Sequence, residues 1–169
     1  SESLNTFKEC LHRMGSARAQ LTAADAQRFI KCVAKECKAK ESRLQENLFA
    51  AAQDLVHLLP SLMAPHVSAL IESSLIVLSS TAAKPNVRGE ALQLLGRMCD
   101  GGLLADVRVI TQPLAAAKCS LLQQVTVLCL ESQFRVASAS LLLVGKLYAP
   151  CAMQTCYERI TQHFSRNMP

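Results

Sequence analysis

The strongest constraint in this chain is an apolar series that keeps helical time. Ala26, Ile30, Val33, Cys37, Leu44, Leu48, Ala51, Leu55 and Leu58 follow one another at three- and four-residue steps, with one step of seven from Cys37 to Leu44. That spacing lines one face of an α-helix, whereas in a strand it would scatter the same residues over both faces. Neither Gly nor Pro interrupts the series before Pro60. The pattern predicts a single long helix over 23–59, thinnest between Lys38 and Ser42. Thr22 and Asp25 open it as a capping box in which Asp takes the place of the usual Glu.

The same period runs through the rest of the sequence. Leu4, Phe7, Leu11 and Met14 predict a first helix ended by Gly15. Pro65 opens a helix carrying Val67, Leu70, Ile71, Leu75 and Leu78, because proline at the first helical position loses no hydrogen bond that position needed. Pro85 opens another that stops at Asp100-Gly101-Gly102, and Leu103–Ile110 reads as a short helix. Pro113 opens a helix through Leu114, Leu121, Leu122, Val125, Leu128 and Cys129, with a turn near Glu131–Gln133. A helix over 134–147 closes at Pro150, and a last one presents Met153, Cys156, Tyr157, Ile160 and Phe164 on one face. Six Gly and six Pro are too few for a turn-dense sandwich or barrel. The fold class is all-α over a single domain, 1–169. Half the residues are hydrophobic but only five Phe and two Tyr are aromatic, so the core is aliphatic.

The chain also repeats itself. A shift of 49 residues lays Val87–Met98 on Val136–Leu147 with four identities, and Pro65 precedes Pro113 by 48. Pro65, then Asn86-Val87-Arg88 with Ala91, Leu94 and Leu95, resembles the HEAT repeat consensus. The resemblance is best over 65–98, partial over 113–147 where Ala137 stands in the place of Arg88, and weak elsewhere. It implies antiparallel helix pairs stacked as a short HEAT or armadillo-like α-solenoid; an irregular helical bundle is the alternative.

Charge and cysteine usage narrow the function. Eighteen basic against thirteen acidic residues leave +5, spread without any block of like charge. Eight cysteines without a secretory signal, mostly inside helical patterns, fit a reducing compartment, cytoplasmic or nuclear. The longest unbroken apolar run, Leu48–Ala52, is too short to span a membrane, so no membrane partner is expected. The chain begins at Ser1 without an initiator Met, which suggests a piece of a longer protein.

Motifs for chemistry are sparse. Cys32 and Cys37, like Cys151 and Cys156, lie five apart and so point about 140° apart on a helix, which argues against a metal site. His12, His57, His66 and His163 form no recognised pairing with a cysteine. Gly101-Gly102 follows a helix instead of a strand, as a helix stop does and a phosphate loop does not. Lys35–Glu46 reads as solvated intrahelical pairs such as Glu36 with Lys40. No catalytic residue, cofactor or metal is expected.

The most suggestive surface lies on the second helix of each repeat. The shift aligns Arg97 with Lys146 and Gln93 with Leu142, and Arg88 and Arg135 stand nearby. In helical arrays such residues form a ridge along one face. The ridge suits an acidic or amphipathic peptide segment of another protein, with Leu142 as an apolar contact. Tyr157, Ile160 and Phe164 supply a second candidate interface at the C-terminal side, covered by a partner or by further repeats. The sequence thus points to a non-catalytic protein-protein interaction scaffold, a subunit of a larger complex. The alternative is a nucleic-acid-binding helical repeat, favoured by net charge but lacking aromatic stacking residues.

Overall fold

The computed structural model describes residues 21–39, 41–106, 110–112 and 120–149. The helices expected over Leu4–Met14 and Met153–Phe164, and the start at Pro113, lie outside these residues, as do 107–109. The short helix expected over Leu103–Ile110 is corrected: Leu103 and Leu104 belong to the turn after the glycine pair, Ala105 and Asp106 are irregular, and helical backbone is present only from Ile110. The described residues are helical and contain no strand, so the protein is all-α.

The single long helix over 23–59 is corrected to two, α1 (Ala23–Glu36) and α2 (Ser42–Leu58). The capping box opens α1 as expected: Thr22 N–H donates to Asp25 Oδ2 at 3.1 Å and Asp25 N–H donates to Thr22 Oγ1 at 3.2 Å. The break is held by Gln45, a buried polar residue that stripe counting overlooks. Its Nε2 donates to the carbonyl oxygens of Glu36, Cys37 and Ala39 at 2.9, 3.1 and 2.8 Å, satisfying acceptors that a helix end leaves open. Glu36 is the last residue of α1, and Lys40, its expected one-turn partner, lies outside the described residues.

Pro60 starts a short helix, α3 (Pro60–Met63), and Pro65 lies in the following 3-10 turn (Ala64–His66). The turn leads into α4 (Val67–Ser79), so the helical run begins one turn earlier than its second proline suggests. By length and composition the run Pro60–Ser79 is apolar enough to cross a membrane, which counting unbroken apolar stretches misses. In this fold α4 is instead the central helix, packed against α1 and against the helices Pro85–Asp100 and Leu121–Leu128, with Leu70, Ile71, Leu75 and Leu78 fully covered. A helix enclosed on several sides becomes apolar nearly all round. Its Ser73 and Ser74 hydroxyls donate to the Ala69 and Leu70 carbonyls, both at 2.8 Å, so their burial leaves no unmet donor.

Helix α5 (Pro85–Asp100) starts on its proline and stops at the glycine pair. Gly102 has φ +70, Leu103 N–H donates to Met98 O at 2.9 Å and Gly102 N–H to Cys99 O at 3.0 Å. That is a Schellman stop, which needs a residue free to adopt the left-handed region. The helix expected from Pro113 through Cys129 is corrected: Ser120 is extended, with φ −74 and ψ 159, and caps a fresh helix α6 (Leu121–Leu128). Gln123 completes that capping box, its side-chain oxygen accepting from Ser120 N–H at 2.9 Å. A turn follows, then α7 over 134–149.

The broadest helix contact joins α2 and α5, while α4 lies on α1, α5 and α6. On α7 the inward face is Val136, Ser140, Leu143 and Leu147. Ser140 occupies the place of Ala91 under the 49-residue shift, and its buried hydroxyl has no hydrogen-bond partner among the described residues. Desolvating an unpaired hydroxyl is unfavourable, so Ser140→Ala is expected to raise the unfolding free energy by about 1 kcal/mol, read from the urea midpoint at unchanged slope.

Candidate protein-docking groove

The repeat alignment has a physical counterpart. Arg135, at the start of α7, donates to Asn86 Oδ1 at 3.1 Å and Glu90 Oε1 at 2.8 Å, near the start of α5. Lys146, near the end of α7, donates to the Asp100 carboxylate at 2.7 Å, at the end of α5. Two helices tied start to start and end to end run in the same direction. Glu90 extends the tie to α2, since its other oxygen accepts from Gln53 Nε2 at 2.7 Å. Gly89 lets the guanidinium lie this close: a Cβ there would stand 3.0 Å from Arg135 Nε.

Between α5 and α7 lies a groove of about 490 Å³. Small residues, Gly96, Ser138 and Ala139, leave the trough, and larger ones wall it. It gathers five residues of the expected ridge: Gln93 and Arg97 from α5, and Arg135, Leu142 and Lys146 from α7. Leu142 is 72% exposed, which for a leucine between two cations is apolar surface open to a ligand. Among the described residues Arg97 has no ion-pair partner, while Arg135 and Lys146 are engaged as above. Asp100 is the one carboxylate among the lining residues.

Arg88 lies outside the groove. Its side chain is 12% exposed, and its Nη2 donates to the Leu78 carbonyl at 3.3 Å and to Glu131 Oε1 at 2.7 Å. It joins the end of α4 to the turn before α7, so its position near the ridge in sequence does not bring it to the ridge in space. Tyr157, Ile160 and Phe164 lie outside the described residues. Close to that end of the chain, however, Phe134, Leu141 and Tyr148 recur every seven residues along α7 and are 85%, 61% and 62% exposed. They sit on the flank of α7 turned away from Arg135, Leu142 and Lys146, as a 100° rotation per residue requires.

Sequence reasoning missed Asp100, Glu90 and Gln53. The signal was present as spacing, because Lys146 and Arg135 follow their carboxylate partners by 46 and 45 residues, close to the repeat length. Elsewhere, burial pushes the Cys37 thiol up and that of Cys99 up to about 11, with Lys146 opposing the latter. Both therefore remain protonated at neutral pH, the less reactive form. Among the described residues no group of three or more His, Cys, Asp or Glu side chains is placed to hold a metal ion. No family model matches the chain, and neither a curated protein nor a solved structure is significantly similar to it.

Proposed function

We propose that the chain is a non-catalytic interaction module, a short HEAT or armadillo-like array that holds a segment of another protein in the α5–α7 groove. The observation that carries this reading is the parallel register of α5 and α7: segments alike in sequence lie side by side, with Arg135 bonded to Asn86, the residue 49 positions earlier. Stacked repeats bring equivalent helices together in this way. The alternation of neighbours is consistent with it, since α4 lies on α1 and α6 while α5 joins α2 and α7. In such an array the uncovered apolar flank of α7 is where a further helix stacks.

A photo-crosslinking residue at position 142 tests the reading in cell extract, with Ser68, exposed on α4, as the control position. The expected result is a discrete protein adduct from position 142 that survives nuclease and is absent from position 68. Adducts to nucleic acid alone would support nucleic-acid binding instead. Equal adducts at both positions, or none at 142, would overturn the groove as the docking site.

A further inference from the structure

Resting on the reading of the groove as a docking site, we infer that its ligand is an acidic and aliphatic peptide segment, and that Asp100 is a built-in competitor for it. The lining holds three cations, Arg97, Arg135 and Lys146, against the single carboxylate of Asp100. Arg135 is committed to Asn86 and Glu90 on the helix it lies against, so it shapes the groove more than it offers charge. Arg97 is open, and Lys146 is held only by Asp100, an exposed pair with side chains 41% and 52% accessible. Pairs this exposed exchange partners at little cost.

The position of Asp100 supports the competitor role. It is the last residue of α5, where a negative charge opposes the helix dipole, so the helix itself gains nothing from it. What it does is place a carboxylate on Lys146, over Gly96, where a ligand carboxylate would lie. Leu142 and Lys146 are one turn apart on α7, about 6 Å along the axis. A ligand helix that puts a Glu or Asp one turn from a Leu or Ile therefore meets Arg97 and Lys146 with the acid and Leu142 with the aliphatic group. Phosphate backbones fit less well: an exposed leucine adds nothing to them, Asp100 repels them, and the lining holds no aromatic ring for a base to stack on.

The probe is a fluorescein-labelled helical peptide as long as α7, with Glu at every eighth position and Leu four residues after each on an Ala background. A second peptide has Gln for every Glu, and a single-stranded oligonucleotide serves as competitor. With the full chain, fluorescence anisotropy is expected to show saturable binding of the Glu peptide, at least about tenfold tighter than the Gln peptide. Arg97→Glu should weaken it about tenfold or more, and Asp100→Asn should tighten it about two- to fivefold, the size of an exposed pair. Circular dichroism establishes that both variants are folded. Unchanged or weaker binding in Asp100→Asn overturns the competitor role and leaves the groove intact as a site. Equal binding of the Glu and Gln peptides, no binding of either, or displacement by the oligonucleotide at lower concentration overturns the ligand assignment. A positive crosslink at position 142 alongside any of these keeps the docking reading and discards only this inference.

Discussion

Replacing Phe49 by alanine is expected to cost about 3–5 kcal/mol of stability and to lower the thermal midpoint by roughly 10 °C, as followed by circular dichroism. Phe49 is 1% exposed on the inward face of α2, the helix that shares the broadest contact with α5. The side chain is one of the few aromatics in an aliphatic core, and close-packed neighbours relax only partly into the space it leaves. Phe49→Leu retains most of the volume and is expected to cost under about 1.5 kcal/mol. The same variant separates the two architectures. In a stacked array each unit touches only its neighbours, so amide exchange should rise in α1, α2 and α5 while α6 and α7 keep more of their protection. A uniform rise through all the helices would favour an irregular bundle that opens as one unit.

Arg88→Ala is expected to cost about 2–3 kcal/mol, measured by urea unfolding. One guanidinium nitrogen serves both the Leu78 carbonyl and Glu131, so its removal unties α4 and α5 from the turn that starts α7. The side chain is nearly covered, which raises the cost of stranding its partners above that of an ordinary surface pair. The pH dependence follows from the same contact. The hydrogen bond and charge of Arg88 hold the Glu131 carboxyl below its usual range. A carboxyl with a lower pKa in the folded state stabilises fully above its unfolded value, near 4.3, and this contribution fades as the pH falls through the folded value. Wild type should therefore lose stability on acidification below about pH 4.5 more steeply than Glu131→Gln. In the Arg88→Ala background the Glu131→Gln change should no longer alter that slope. A persistent difference would place the Glu131 shift on another partner.

Several features of the fold were legible in the sequence because their causes are local. The capping box at Thr22 and Asp25, the start of α5 on Pro85 and its stop at Gly101-Gly102 each depend on residues within one turn. Two of the misplaced boundaries, the break after α1 and the start of α6, have a common origin. An apolar stripe continues in register across a break when the loop has the right length, so Cys37 and Leu44 remained in line although α1 ends at Glu36 and α2 starts at Ser42. What ends α1 is the reach of Gln45 back to three carbonyls, and what restarts the chain at α6 is the Ser120 cap. Both are polar side chains, and a reading based on hydrophobic period gives such residues no weight.

The candidate site divides along the same line. The 49-residue shift identified Gln93, Arg97, Leu142 and Lys146 as equivalent positions, and equivalent positions on like helices that lie parallel must share a face. Arg88 and Arg135 carried the same charge and stood equally close in the alignment, yet one is sealed under the turn at Glu131 and the other walls the groove. Nothing in the residue type distinguishes them, because burial of an arginine depends on which neighbours close over it. The sequence by itself determined the helical class, most helix boundaries and the set of residues that recur with the repeat, since each follows from backbone sterics and spacing along the chain. Only the tertiary structure decided which cations are already paired, that Asp100 sits on Lys146, and that Gly96, Ser138 and Ala139 leave a trough between them. Those outcomes depend on how far apart two helices settle, and that distance is set by side chains far apart in the sequence.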